Sequence, residues 1–298
     1  MYNAANHFID RHSDRTPSNR IAYTDYAGDW TYQQLVAMVN QAGNVLSNLG
    51  LKEKQRVLMC MTDSVLFPAV FWGAIKIGAI PVPVNTMLTD SDYAYMLDDS
   101  CARILVVSES LYPNFSTQLD SRSSLGKVVI DGASIDDRPS LSILMESFGS
   151  ELSTAPTQRE EPAFWLYTSG STGQPKGAVH RHSDLVQTAQ LYGDGILNLD
   201  QSDVVFSAAK LFFAYGLGNG MSFPLHTGCR TVLLADRPTP DSVLSVMKNQ
   251  DVSIFFGVPT LYGSILSDGA NDRSKVCLLY TSDAADEGLG VDLGGRRI

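Results

Sequence analysis

Within eleven residues, Tyr167-Thr168-Ser169-Gly170-Ser171-Thr172-Gly173-Gln174-Pro175-Lys176-Gly177 collects three glycines, four aliphatic hydroxyls and one lysine. Glycine lets a backbone approach an anion closely and turn its N–H groups toward it, and the hydroxyls add donors. One ammonium then neutralises charge on bound phosphate. The apolar strand-like run Phe164–Thr168 leads into this loop. Pro175 biases Gln174 away from the helical region, so Lys176 is expected to leave on an extended segment. A Walker A loop is excluded, because that motif needs glycine before its lysine and Ser or Thr after it, and here the neighbours are Pro175 and Gly177. Thr168, Ser169, Gly170, Ser171, Thr172, Gly173 and Lys176 are therefore the candidate phosphate-binding set.

A second segment, Lys210-Leu211-Phe212-Phe213-Ala214-Tyr215-Gly216-Leu217-Gly218-Asn219, is rich in aromatic and small residues. Its chemistry suits an apolar slot for a flat ring, with Phe213 and Tyr215 as walls and Ala214 and Gly216 leaving room. For Phe212 core packing is an equal alternative. Three other signals read as structural. His180 and His182 lack a third ligand at metal spacing, so no metal site is expected, and His182 is expected to precede a helix capped by Ser183 or Asp184. Gly216-Leu217-Gly218-Asn219-Gly220 lacks the spacing of a dinucleotide fingerprint. His226 and Cys229 show no nucleophile–base pattern.

The chain that must position these groups has 298 residues, 44% of them hydrophobic and 18% charged, with a net charge of −10. That composition excludes collagen-like and disordered classes, and the acidic surplus argues against nucleic acid as a partner. No cationic amphipathic stretch points to a membrane surface. Cys60, Cys101, Cys229 and Cys277 are scattered without a CxxC, as in reduced cytoplasmic proteins, and no signal peptide pattern opens the chain. The apolar window Ser64–Val84 is broken by Lys76, Pro68, Pro81 and Pro83. It reads as a buried helix and an extended loop.

Apolar residues recur at helical spacing over Thr31–Leu49, with Thr31 and Gln34 forming a capping box and Gly50 at the C-terminal cap. A strand is expected at Arg56–Met61, a helix at Val65–Ile77, a Pro-punctuated extended segment at Ile80–Asn85, a short helix opened by Thr89 and Asp92, and strands at Ile104–Val107 and Val128–Ile130. Further strands are expected at Val204–Ala208, Thr231–Ala235 and Ser253–Gly257, with helices near Asp184–Gly193 and Asp241–Asn249. The alternation predicts an α/β fold with mostly parallel sheets covered by helices on both faces.

Thr168–Gly177 resembles the signature phosphate loop of the acyl-adenylate-forming (AMP-binding) ligases, which include acyl-CoA synthetases, peptide-synthetase adenylation domains and insect luciferases. The resemblance runs from about Asn3 to about Ser274. Thr31-Tyr32-Gln33-Gln34-Leu35, Gly78–Asn85 and Gly257-Val258-Pro259-Thr260 are similar to family landmarks. Lys210–Asn219 and Ala69–Lys76 most resemble the benzoate–CoA ligase branch. The resemblance implies a large N-terminal adenylation domain and a two-step reaction: carboxylate plus Mg-ATP gives acyl-AMP and pyrophosphate, and coenzyme A then displaces AMP. It implies ATP, Mg2+ and coenzyme A, a small carboxylic acid as partner, Lys176 as a catalytic residue, and Phe213, Ala214, Tyr215 and Gly216 at the acid. Other aryl or short fatty acids, and a non-catalytic nucleotide-binding role, stay open as alternatives.

Family members carry further adenine- and ribose-binding motifs and a C-terminal lid domain with a catalytic lysine, which this sequence lacks. Cys277–Asp286 and Val291–Ile298 back-translate into strings resembling the two ends of a common transposase sequencing adapter, with Glu287–Gly290 in the place of an index. The expectation is a partial adenylation domain over 1–276 and a non-native tail over 277–298, inactive as it stands. A sequencing read of the source DNA across the Val276 codon tests this, and a genomic frame that encodes 277–298 contradicts it.

Overall fold

The computed structural model describes residues 1–267 apart from Thr16, Ser18 and residues 117–118, 120–124 and 169–173. Ser169, Gly170, Ser171, Thr172 and Gly173, and the whole of 277–298, lie outside the described residues. The strands are β1 (Ile21–Asp25), β2 (Gly28–Thr31), β3 (Arg56–Cys60), β4 (Ile80–Pro83), β5 (Ile104–Ser108), β6 (Lys127–Asp131), β7 (Pro162–Thr168), β8 (Lys176–Arg181), β9 (Val204–Ser207), β10 (Arg230–Val232) and β11 (Ile254–Phe256). They form a sheet in the order β11-β9-β10-β1-β2, a sheet in the order β4-β3-β5-β6, and the hairpin β7–β8. β1–β2 and β7–β8 are antiparallel and the other pairs parallel. The helices are α1 (His12–Arg15), α2 (Tyr32–Asn48), α3 (Leu66–Lys76), α4 (Asp90–Ser100), α5 (Leu141–Glu146), α6 (His182–Thr188), α7 (Ala214–Leu217), α8 (Phe223–Thr227), α9 (Pro240–Asn249) and α10 (Pro259–Ser267).

Local chemistry accounts for the helix ends. The Thr31 hydroxyl accepts from the Gln34 N–H at 3.1 Å, and Gln34 Oε1 accepts from the Thr31 N–H at 2.8 Å. Gly50 stops α2 at φ +91°, with its N–H on the Ser47 carbonyl and the Leu51 N–H on the Leu46 carbonyl, a paired cap that only a left-handed residue completes. Thr89 and Asp92 form the same reciprocal box at the start of α4.

Alternation along the strands builds two cores back to back. Val57, Met59, Ile104, Val106 and Val129 face α2 and α3, whereas Leu58, Cys60, Leu105, Val107, Val128 and Ile130 face α4. A parallel sheet buried on both faces needs this near-continuous apolar composition. In the other sheet Val205 and Phe256 join the first core, while Phe206, Phe255 and Val232 pack with Val243 of α9.

The expected extended loop at Ile80–Asn85 is corrected: Ile80–Pro83 is a fully buried strand at the edge of its sheet. The backbone N–H groups of Ile80 and Val84 donate to the carbonyls of Gln55, just before β3, and of Met59 within it. Pro81 and Pro83 fall on the alternate positions, where the ladder needs no donor, so proline is tolerated. Lys76, which interrupts the same apolar window, is buried at the end of α3. Its ammonium pairs with Asp10 and donates to Asn40 Oδ1 at 2.7 Å. No helix among the described residues is long and apolar enough to cross a membrane.

α2 and α3 cross at two glycines. A Cβ added at Gly73 meets the Gly43 nitrogen at 2.8 Å and the Val39 carbonyl oxygen at 2.9 Å, both backbone atoms that cannot rotate away. Gly73→Ala is therefore expected to lower stability by about 1–3 kcal/mol, the usual cost of overpacking a core. A urea denaturation midpoint equal to that of the parent chain contradicts so close a crossing.

Candidate active site

β7 and β8 hold the glycine- and hydroxyl-rich loop between two fixed posts. Thr168 and Lys176 are the last pair of the hairpin, and the Thr168 hydroxyl donates to the Lys176 carbonyl at 3.5 Å. Lys176 opens a strand, as the neighbouring Pro175 requires. It is exposed, and its ammonium has no hydrogen-bond or ion-pair partner among the described residues. The posts are anchored from below. Phe164 stacks on His180 at 4.6 Å, the Arg56 guanidinium lies 5.7 Å from the Trp165 ring centroid, and the Tyr167 hydroxyl donates to Asp99 Oδ2 at 2.7 Å. Burial and the adjacent Asp99 carboxylate push the Tyr167 phenol pKa up, so it stays a donor.

The aromatic segment follows β9 at the carboxyl end of a parallel sheet. Strand order changes side here: β10 lies on one flank of β9 and β11 on the other. Crevices for ligands open at such switch points, outside the carboxyl ends of the strands. The Ala208 N–H donates to the Phe256 carbonyl at 2.8 Å, and the Tyr215 ring meets Phe256 edge-on at 6.3 Å. Segment 208–216 and residues 257–260, which lead into α10, thus share one edge of the sheet. Phe213 and Ala214 are exposed, and Tyr215 is half-buried with its hydroxyl unpartnered among the described residues. Phe212 is buried in the main core and is a packing residue.

Gly216 does not leave room for a ring, contrary to the expectation from its size. A Cβ there lies 2.0 Å from the Lys210 carbonyl oxygen and 2.5 Å from that of Ala209. The space that glycine leaves is filled by backbone. No hydrogen bond or ring contact joins Lys176 to residues 213–216 among the described residues.

Sequence reasoning missed the polar groups that fix this edge. The Lys210 ammonium donates to the carbonyl oxygens of Leu234, of Ala235 at 3.1 Å and of Asp236 at 2.7 Å. It also lies 3.9 Å from Asp63 Oδ2. Asp63, only 3% exposed just beyond β3, accepts the Leu211 N–H at 3.2 Å through Oδ1. Burial raises the Asp63 pKa to about 6 against the pull of Lys210, and lowers that of Lys210. An aspartate directly after an apolar strand was the available signal.

All five histidines contact other residues of the fold. The helix after β8 begins at His182 itself, one residue earlier than expected. Arg181 is the N-cap, and the Asp184 carboxylate accepts from its N–H at 2.8 Å. His182 Nδ1 accepts the Ala4 N–H at 3.2 Å, which ties the N-terminus to this helix. His226 bonds Asp194 at 2.8 Å and His7 at 2.7 Å. Burial pushes the Cys229 thiol up to about 12, far from a nucleophile. Among the described residues no group of three or more His, Cys, Asp or Glu side chains is placed to hold a metal ion.

Burial lowers His7, His12 and His182 to about 4 each, from an ordinary 6.5. Between those values the unfolded chain takes up protons that the folded chain refuses. Stability from these imidazoles is therefore full above about pH 6.5 and lost as pH falls toward 4. His182→Asn keeps an acceptor for the Ala4 N–H without titrating. Its unfolding midpoint is expected to fall less between pH 6.5 and 4 than the parent's, and parallel pH curves contradict the assignment.

The AMP-binding enzyme family model matches residues 9–294, a range that crosses the division expected at Val276. Over 296 residues the chain is 46% identical to the benzoate–CoA ligase of Thauera aromatica, covering 99% of this chain and 56% of that one. Over 299 residues it is 36% identical to the 4-hydroxybenzoate–CoA/benzoate–CoA ligase of Rhodopseudomonas palustris, covering 98% and 54%. Among solved structures, a benzoate CoA ligase from Burkholderia xenovorans LB400 superposes with a TM-score of 0.86 at 37% identity, covering 94% of this chain and 55% of that one. The chain thus spans about half the length of the curated relatives it matches. Its α/β sheets and a family match over most of its length agree: this chain belongs to the AMP-binding enzyme family.

Proposed function

We propose that the protein is an ATP-dependent aryl-CoA ligase of the benzoate type, of which this chain carries part of the adenylation domain. The observation that supports it most is the 46% identity to a benzoate–CoA ligase across nearly the whole chain. In the first step a carboxylate oxygen attacks the α-phosphorus of ATP. The bond to the bridging oxygen breaks and its electron pair leaves with pyrophosphate. In the second, the sulfur of coenzyme A attacks the acyl carbon, the bond to AMP breaks, and the thiol proton passes to water. The thioester and AMP are the products.

In this reading the Lys176 ammonium neutralises charge that grows on the departing pyrophosphate, while Thr168, Ser169, Gly170, Ser171, Thr172 and Gly173 supply hydroxyl and backbone donors to the phosphates. Phe213, Ala214 and Tyr215 line the ring of the acid, and Gly216 holds their backbone in place. Magnesium enters as the counter-ion of ATP. The described residues offer no side-chain group that fits a metal of their own, and no step is assigned to it. The cytoplasm, where ATP and coenzyme A are at hand, is the compartment this reading requires.

A hydroxybenzoate is the second reading. The Tyr215 hydroxyl is buried without a partner among the described residues, and an unpaired buried donor favours a ligand that satisfies it. ATP–pyrophosphate exchange by the full-length protein, with a panel of aryl and short fatty acids, separates these readings. Benzoate is expected to support the fastest exchange. Lys176→Ala is expected to slow it by about a hundredfold, the scale for losing one preorganised donor at developing charge. Exchange with no aryl acid contradicts the function, and an unchanged rate in the variant contradicts the role of Lys176.

A further inference from the structure

We propose that Lys210 and Asp63 are positioning residues that set the location of the acid-binding segment, an inference that rests on the reading of residues 213–215 as the acid's pocket. Lys210 stands where β9 ends, at the switch in strand order. Its ammonium is engaged by three successive main-chain carbonyls on the segment leaving β10, at Leu234, Ala235 and Asp236. An ammonium has three N–H groups, so none is left over for a phosphate or a carboxylate. Lys210 is thereby distinguished from Lys176, whose ammonium has no such partners among the described residues.

Asp63 ties the same stretch of backbone to the other parallel sheet. One carboxylate oxygen takes the Leu211 N–H and the other faces the Lys210 ammonium at 3.9 Å. Two adjacent residues, 210 and 211, are thus fixed from both sheets at once. The backbone from 213 to 216 rests directly on them. The Phe213 N–H donates to the Lys210 carbonyl at 3.0 Å, and Gly216 packs its Cα against that carbonyl and the one before it. A displacement of Lys210 is handed on to Phe213, Ala214 and Tyr215 with no soft joint between.

Energetics point the same way. The Lys210 and Asp63 side chains are 15% and 4% exposed. Taking such a pair out of water costs enough that well-packed apolar residues of similar volume are often as stable or better. Placement, more than stability, is what this pair supplies. Carbonyls converging on one point also suit a compact ammonium and not a planar guanidinium, so Lys210→Arg is not a conservative change.

The test uses the full-length ligase and separates the two substrates. In Lys210→Met, which keeps the volume and loses the donors, KM for the aryl acid is expected to rise by about tenfold or more, while KM for ATP stays within about twofold. Misplacement of a bound group by about 1 Å is enough for losses of this size. Asp63→Asn can keep the Leu211 bond and is expected to shift the acid's KM in the same direction by less. A purely structural role lowers the amount of folded enzyme and leaves both KM values alone. Folded Lys210→Met with an unchanged acid KM overturns the proposal. If that variant does not fold, unchanged acid KM values in Lys210→Arg and Asp63→Asn overturn it instead. Tyr215→Ala serves as the control for the pocket itself. If it raises the acid's KM while the Lys210 and Asp63 variants do not, only the positioning inference fails. If it too leaves that KM unchanged, the pocket reading falls and the inference with it.

Discussion

The Lys210 ammonium, on a side chain 15% exposed, bridges the carboxyl ends of parallel strands in the two sheets, next to the aromatic segment. Lys210 leaves β9, caps the segment after β10 through three carbonyls and faces Asp63 beyond β3. The backbone of parallel strands ends in groups that need partners, and loops leaving several strands at one edge compete for the same space. One point charge with three donors resolves both demands there. The aromatic segment follows from there, with the Tyr215 ring edge-on to Phe256 of β11.

The glycine- and hydroxyl-rich segment between β7 and β8 is mounted differently. It connects the two strands of an antiparallel hairpin, and that hairpin is packed by Phe164 on His180, Arg56 over Trp165, and Tyr167 on Asp99. The exposed Lys176 ammonium at its mouth contrasts with the engaged Lys210 ammonium. Lys210 fastens the fold internally, whereas the Lys176 ammonium has no partner among the described residues.

Features that depend on a few adjacent residues were legible in the sequence. Both capping boxes, the Gly50 stop, the apolar strands and the extended exit at Lys176 arise from local sterics and hydrogen bonding, and each is found where local chemistry puts it. Ile80–Pro83 was misread because two prolines argue against a strand until one knows that both fall off the ladder of an edge strand. The β1–β2 hairpin carried too weak an alternation to stand out. The helical turns from Ala214 to Thr227 were hidden by Gly216, Gly218 and Gly220, which lower helix propensity and are there for close packing. The partnership of Lys210 with Asp63, and of His226 with His7, joins residues remote in the chain, and no local pattern announces such pairs.

In the proposed reaction a carboxylate oxygen of an aryl acid attacks the α-phosphorus of ATP. Benzoate labelled with oxygen-18 in its carboxylate, turned over by the full-length enzyme with ATP and coenzyme A, tests it directly. Attack at the α-phosphorus and then displacement at the acyl carbon leave one labelled oxygen on the phosphate of AMP. Mass spectrometry of the product nucleotide is expected to show that label. Unlabelled AMP, or label in inorganic phosphate with ADP as the nucleotide, would contradict the account.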